Sequence, residues 1–165
     1  MSYQEKRTLA SITSGALILA AYCLYSFNPT RLASITAGAL KPWATTMLIF
    51  IGIGIGFTII IQIVFYILLS ISIAIREKMQ NMQADDKDID KSIKTEMVED
   101  ERDRMIGLKS NRVSFGIAGF GFIAGLLALV FNYSPVVMLN ILFISFSFGS
   151  ICEGFAQLYY YRKGI

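Results

Sequence analysis

The chain has 165 residues, of which 55% are hydrophobic and 16% charged, with a formal net charge of +3. A soluble domain is nearer about 45–50% apolar, and here the apolar residues gather into long runs with few charges, the pattern of a membrane protein. So small a net charge gives no reason to expect a nucleic-acid partner. The absence of histidine removes the commonest general base and metal ligand. Cys23 and Cys152 lie far apart in apolar runs with no CxxC or zinc spacing, so neither a metal nor a cofactor is expected.

Four runs predict four membrane-spanning helices: 8–27, 44–75, 113–131 and 135–161. Each reaches or approaches the roughly 20 residues needed to cross about 30 Å of hydrocarbon. The first follows Lys6 and Arg7 like a signal peptide, but "YCLYSFNPT" offers no small-residue cleavage site, so it reads as an uncleaved span. After it, "LASITAGAL" (32–40) echoes "LASITSGAL" (9–17). Bounded by Arg31 and Lys41-Pro42, the second copy is too short to cross and suits a helix lying in the interface.

The second span would run to roughly 48 Å at helical rise, so it must tilt, kink or project. Its "IGIGIG" is not GxGxxG and has no strand–turn–helix context, which excludes a nucleotide loop. Gly52 and Gly56 share a face and allow close helix approach or a local bend. Ala118, Gly121, Gly125 and Ala128 make a similar smooth face on the third span. Between spans three and four, Ser134 is a good N-cap and Pro135 a good first helical residue, which predicts a tight antiparallel hairpin.

Orientation follows from Lys and Arg. The N-terminus, the 76–112 loop and the C-terminus together hold 13 of them, against Arg31 and Lys41 on the other side. Both termini and the long loop are therefore expected in the cytoplasm, with the protein in the plasma (inner) membrane. Tyr22, Tyr25, Trp43 and Tyr133 are expected as aromatic anchors at the outer edge, and Tyr159 to Tyr161 at the inner edge.

The 76–112 loop carries nine basic and ten acidic residues. Ile75, Met79 and Met82 continue a helical stripe out of span two. Ile89, Ile93 and Met97 begin another toward span three, with a turn at "ADDKD". Asp100–Arg104 and Glu99–Arg102 have the spacing of helical ion pairs. "DKDID" lacks the glycine and closing glutamate of a calcium loop, having Lys91 and Met97 there. The run "VEDERDRMIGLKSNR" before a glycine-rich span resembles an uncharacterised family of small four-helix prokaryotic membrane proteins, in which a D-E-R-D or D-E-R-E motif precedes the third span. Asp100, Glu101, Arg102 and Asp103 would be that motif, with Arg104, Lys109 and Arg112 after it. The resemblance implies the four-span topology and no biochemical role. These residues read either as a solvated helix at the headgroups or, with Arg104, as a docking surface for a partner.

Glu153 is the one acid inside a span. With Tyr159 to Tyr161 at the interface it would lie roughly 9–12 Å deep, where an unpaired carboxylate is costly. By depth, Ser11, Thr13, Ser14, Ser70, Ser72, Ser114 and Gln157 come to the same inner half. Glu153, Gln157, Ser14, Ser70 and Ser114 are therefore the candidate polar site, with Gln62 and Asn140 extending it outward. Such a site either ties helices together or binds a proton, a cation or a cationic substrate.

The expected fold is thus all-α: a polytopic four-transmembrane-helix bundle with a helical cytoplasmic extension between spans two and three. Two functions fit. One is a non-enzymatic accessory or regulatory subunit holding a membrane or cytoplasmic protein partner through the 76–112 loop. The other is a small homo-oligomeric transporter or channel using Glu153. No nucleophile motif or convincing acid pair supports an enzyme.

Overall fold

The computed structural model describes residues 3–28, 40–80 and 100–164. They form four helices: α1 Tyr3–Ser26, α2 Leu40–Gln80, α3 Glu101–Val130 and α4 Pro135–Lys163. All four are long and apolar enough to cross a membrane. The 32–39 echo and the 81–99 segment, with its turn, its second stripe and Glu99, lie outside the described residues.

The helix ends follow local chemistry. Asp100 is the N-cap of α3: its side chain accepts from the Asp103 N–H at 2.6 Å, and the Asp103 carboxylate accepts from the Asp100 N–H at 3.4 Å. This capping box satisfies two of the unpaired N–H groups of the first turn. α3 ends in a Schellman turn. Asn132 takes the left-handed conformation (φ 62°), Tyr133 N–H donates to Ala128 O at 2.9 Å and Asn132 N–H to Leu129 O at 3.0 Å. Asparagine tolerates that conformation better than most residues. Ser134 then caps α4, accepting from the Val136 N–H at 3.2 Å, with Pro135 in the first turn. The expected tight hairpin forms.

Small residues decide what packs on what. Ala118, Gly121, Gly125 and Ala128 are buried along α3 against α4 of the same chain. A Cβ on Gly121 would overlap the Ser145 side chain, and one on Gly125 would sit 3.1 Å from Met138 Cγ. From α4, Gly149 lies against Ser114, whose carbonyl oxygen would be 3.0 Å from an added Cβ. Gly154 meets Ile12 of α1, so α4 is central, with α3 on one side and α1 on the other. α2 leans on α1, where Phe50 meets Tyr22 edge-on at 5.3 Å and Gly54 faces Ile18. By contrast, Gly52 and Gly56 have nothing within 4 Å of an added Cβ, so the face they were expected to supply for close approach meets no helix among the described residues.

Tyr22 is fully buried and Trp43 only 3% exposed, so both turn their rings into the bundle. They form a core with Met47 and Val136, flanked by Phe50, Leu139 and Phe143. The reason is that Tyr22 finds a partner inside: its hydroxyl donates to Asn140 Oδ1 at 2.7 Å, and a buried phenol needs such an acceptor. Tyr25 and Tyr133 do remain exposed.

Register gives α2 its distinctive place. Tyr22 pairs with Phe50 and Ile18 with Gly54, and one cavity brings Gln62 to Arg7, Gln157 and Tyr161. Arg102 of α3 reaches the Tyr161 carbonyl of α4 at 3.5 Å. Arg7 of α1, Tyr161 of α4 and, with it, Arg102 of α3 are therefore level with α2 near Gln62. α2 continues unbroken to Gln80, the helical continuation expected past residue 75.

Candidate functional site

The candidate site divides into three places. The first is a chain of polar side chains crossing α3, α4 and α1. The Ser114 side chain stands beside the Glu153 carboxyl. Gln157, one turn along α4, donates from Nε2 to Glu153 Oε1 at 3.5 Å. Its Oε1 accepts from Thr8 Oγ1 at 3.2 Å, and Thr8 also lies 2.8 Å from the Gln4 carbonyl. Helical spacing makes this possible, since residues four apart share a face. Glu153 is half-buried rather than enclosed. Counting back from Tyr159 places it well inside the apolar part of α4. The hairpin register, with Gly149 on Ser114, instead sets it level with the last charged turn of α3, which ends at Arg112.

The second place is a cleft between α1, α2 and α4. A cavity of about 200 Å³ is lined by Arg7, Ser11, Ser14, Thr58, Gln62 and Gln157, among others. A further space of about 290 Å³ shares Ser11, Ser14 and Thr58 with it and reaches Ile18, Gly54, Ser147 and Ser150. Ser14 and Gln62 thus belong to this cleft, with Gln157 joining it to the Glu153 chain. The Ser14 hydroxyl donates to Ala10 O or Ser11 O at 2.9 Å, and Thr58 to Gly54 O at 2.8 Å.

The third place is the Tyr22–Asn140 bond in the aromatic core. Asn140 also donates from Nδ2 to Val136 O at 2.8 Å. It lies 13 residues before Glu153 on the same helix, about 20 Å away at helical rise. It is a separate buried tie. Ser70 lines neither described part of the cleft and turns its hydroxyl back to Tyr66 O at 2.8 Å.

Thr8, Thr58, Ser147, Ser150 and Arg7 were not anticipated. A signal existed on α1: Gln4, Arg7, Thr8, Ser11 and Ser14 recur at three- and four-residue spacing, a polar stripe on an otherwise apolar helix. Counting residues by depth hides a stripe that runs along the axis.

The docking candidates have local work. Asp100 and Asp103 form the capping box, and Arg102 reaches α4. Asp100 meets Arg104 through the Arg104 N–H and its own carbonyl at 3.1 Å, a helical bond rather than the expected side-chain pair. Glu101 and Arg104 are exposed and line a shallow depression with Met105 and Leu108. Among the described residues no group of three or more His, Cys, Asp or Glu is placed to hold a metal. Comparison of the chain with protein-family models, curated proteins and solved structures found no match.

Proposed function

We propose that the protein is a four-span integral plasma-membrane protein with both termini in the cytoplasm, acting without catalysis as an accessory or regulatory subunit that holds a protein partner. The observation that carries this is the length of α2 beyond its neighbours. From Gln62, level with Arg7, to Gln80 the helix rises about 27 Å further. Much of that length is apolar and open: Ile67, Leu68, Ile71 and Ile75 are each half or more exposed. With the charged ends of α1, α3 and α4 at the headgroups, these side chains stand at or beyond the lipid boundary. An apolar surface of this kind marks a contact site. The 13 basic residues assigned to this side support its cytoplasmic orientation.

The test is a photo-crosslinking residue at position 71 or 75, activated in the native membrane. A product joined to one other protein supports the accessory role. A product of two copies of this chain moves the reading to a homo-oligomer. If only lipid is captured, the partner-holding role is wrong. Asp100 and Asp103 are poor positions for charge reversal because both cap α3, so Glu101→Lys is the cleaner probe of docking by the motif.

A second reading, a small oligomeric transporter or channel, is favoured by one observation: the half-buried Glu153 carboxyl, which accepts from Gln157 and stands beside Ser114. An acid at the edge of a helical bundle is a usual proton or cation site. Glu153→Gln is expected to keep the fold and abolish any proton-coupled or cation flux in vesicles. Wild-type flux in that variant would remove Glu153 from transport.

A further inference from the structure

We infer that the cleft between α1, α2 and α4 binds a phosphate group, carried on a lipid headgroup or free in the cytoplasm, with Arg7 as its counter-charge. The inference rests on the membrane reading above. Arg7 is the one charged side chain lining either part of the cleft among the described residues. Glu153 does not line it and stands behind Gln157, beside Ser114. The sign of the site is therefore positive. Around Arg7 stand the hydroxyls of Ser11, Ser14 and Thr58 and the amides of Gln62 and Gln157. A hydroxyl proton now donated to the helix backbone is free to turn toward a phosphate oxygen, and a guanidinium meets phosphate with two parallel N–H bonds.

Position and shape agree with that chemistry. The cavity is lined by Gln4, Arg7 and Tyr161, at the charged ends of α1 and α4, and basic pockets between helices on the cytoplasmic side take anionic headgroups. The cavity of about 200 Å³ leads into the deeper space of about 290 Å³ beside Ile18, Gly54 and Phe146. That second space extends along the helices, as the glycerol and first chain carbons of a lipid would.

The experiment is native mass spectrometry of the full chain, titrated with phosphatidylglycerol and separately with phosphatidylcholine, with and without millimolar inorganic phosphate. One phosphatidylglycerol per chain is expected, held more tightly than phosphatidylcholine. Arg7→Gln should weaken it roughly fivefold, the value of one basic residue near a membrane surface. Lys6→Gln, on the neighbouring residue outside the cleft lining, should leave it unchanged. Thr58→Leu, which fills the cleft without touching the charge, should weaken it also. Displacement by inorganic phosphate would identify free phosphate as the ligand, and persistence in its presence a lipid. Equal binding by wild type, Arg7→Gln and Thr58→Leu, each with an unchanged melting temperature, would overturn the site. Failure of the wild type to insert into vesicles would overturn the membrane reading and this inference together, whereas insertion without Arg7-dependent binding overturns this inference alone.

Discussion

Replacing Gly121 by alanine tests the packing that makes α3 and α4 a pair. The new methyl group would overlap the Oγ and Cβ of Ser145, whose Cα lies only 3.7 Å from it. Ser145 has no flexible end to swing aside, so the helices must separate. Overpacking of this kind costs about 1–3 kcal/mol. Gly116→Ala on the same helix supplies the control, since nothing lies within 4 Å of its added Cβ. Both changes gain the same helix propensity, about 1 kcal/mol, so the difference between them isolates the clash. Melting can be followed by a thiol-reactive dye, because Cys23 on α1 and Cys152 on α4 are both half-buried and free. At about 2–4 °C per kcal/mol for a chain of this size, Gly121→Ala should melt roughly 2–12 °C below Gly116→Ala. Adding Ser145→Gly should recover most of that loss, by moving the Cβ from one helix to the other. Equal melting of the two single variants, or no recovery in the double variant, would refute the packing argument.

Other outcomes follow from single contacts. Asp100→Ala removes the cap of α3 and should cost about 1 kcal/mol; faster hydrogen exchange confined to the amides of residues 101–104 would locate the loss. Tyr22→Phe deletes the hydroxyl that satisfies Asn140 and should cost about 0.6–1.7 kcal/mol, the range for hydrogen bonds between membrane helices; the same dye assay reads it, and Tyr133→Phe, on an exposed ring, should change nothing. Gly154→Leu would drive a side chain into Ile12 and part α1 from α4, seen as faster labelling of Cys152, while Gly56→Leu should leave labelling unchanged.

Much of the architecture is legible without coordinates. Four apolar runs must be four helices if they cross lipid, because every backbone N–H and C=O has to be satisfied within its own segment. "NYSP" announces the hairpin, since capping is a local matter of Ser134, Pro135 and the turn before them. The same local chemistry is written in the Asp-x-x-Asp spacing of Asp100 and Asp103, which is that of a capping box. The Glu153–Gln157 and Ser114 grouping was also within reach, because four-residue spacing and depth bring those side chains to one level.

What depends on pairs of faces was not legible. Gly52–Gly56 and Gly121–Gly125 are the same small-xxx-small pattern, yet among the described residues only the second meets a neighbouring helix. Tyr22 and Tyr25 both sit at the end of the first run, yet one is buried on Asn140 and the other exposed. A three-residue step leaves two side chains about 60° apart around the helix, and composition does not say which of them has a partner. The arrangement of α1 beside α2 and α4 also joined Arg7, Ser14 and Gln62 in one cleft. The sequence by itself determined the four long apolar helices among the described residues, their local caps and which end is charged, because these depend on solvent and nearest neighbours. Only the tertiary structure decided which stripes close on each other, and that α2 outruns the rest, because helix register is set by side chains distant in the chain.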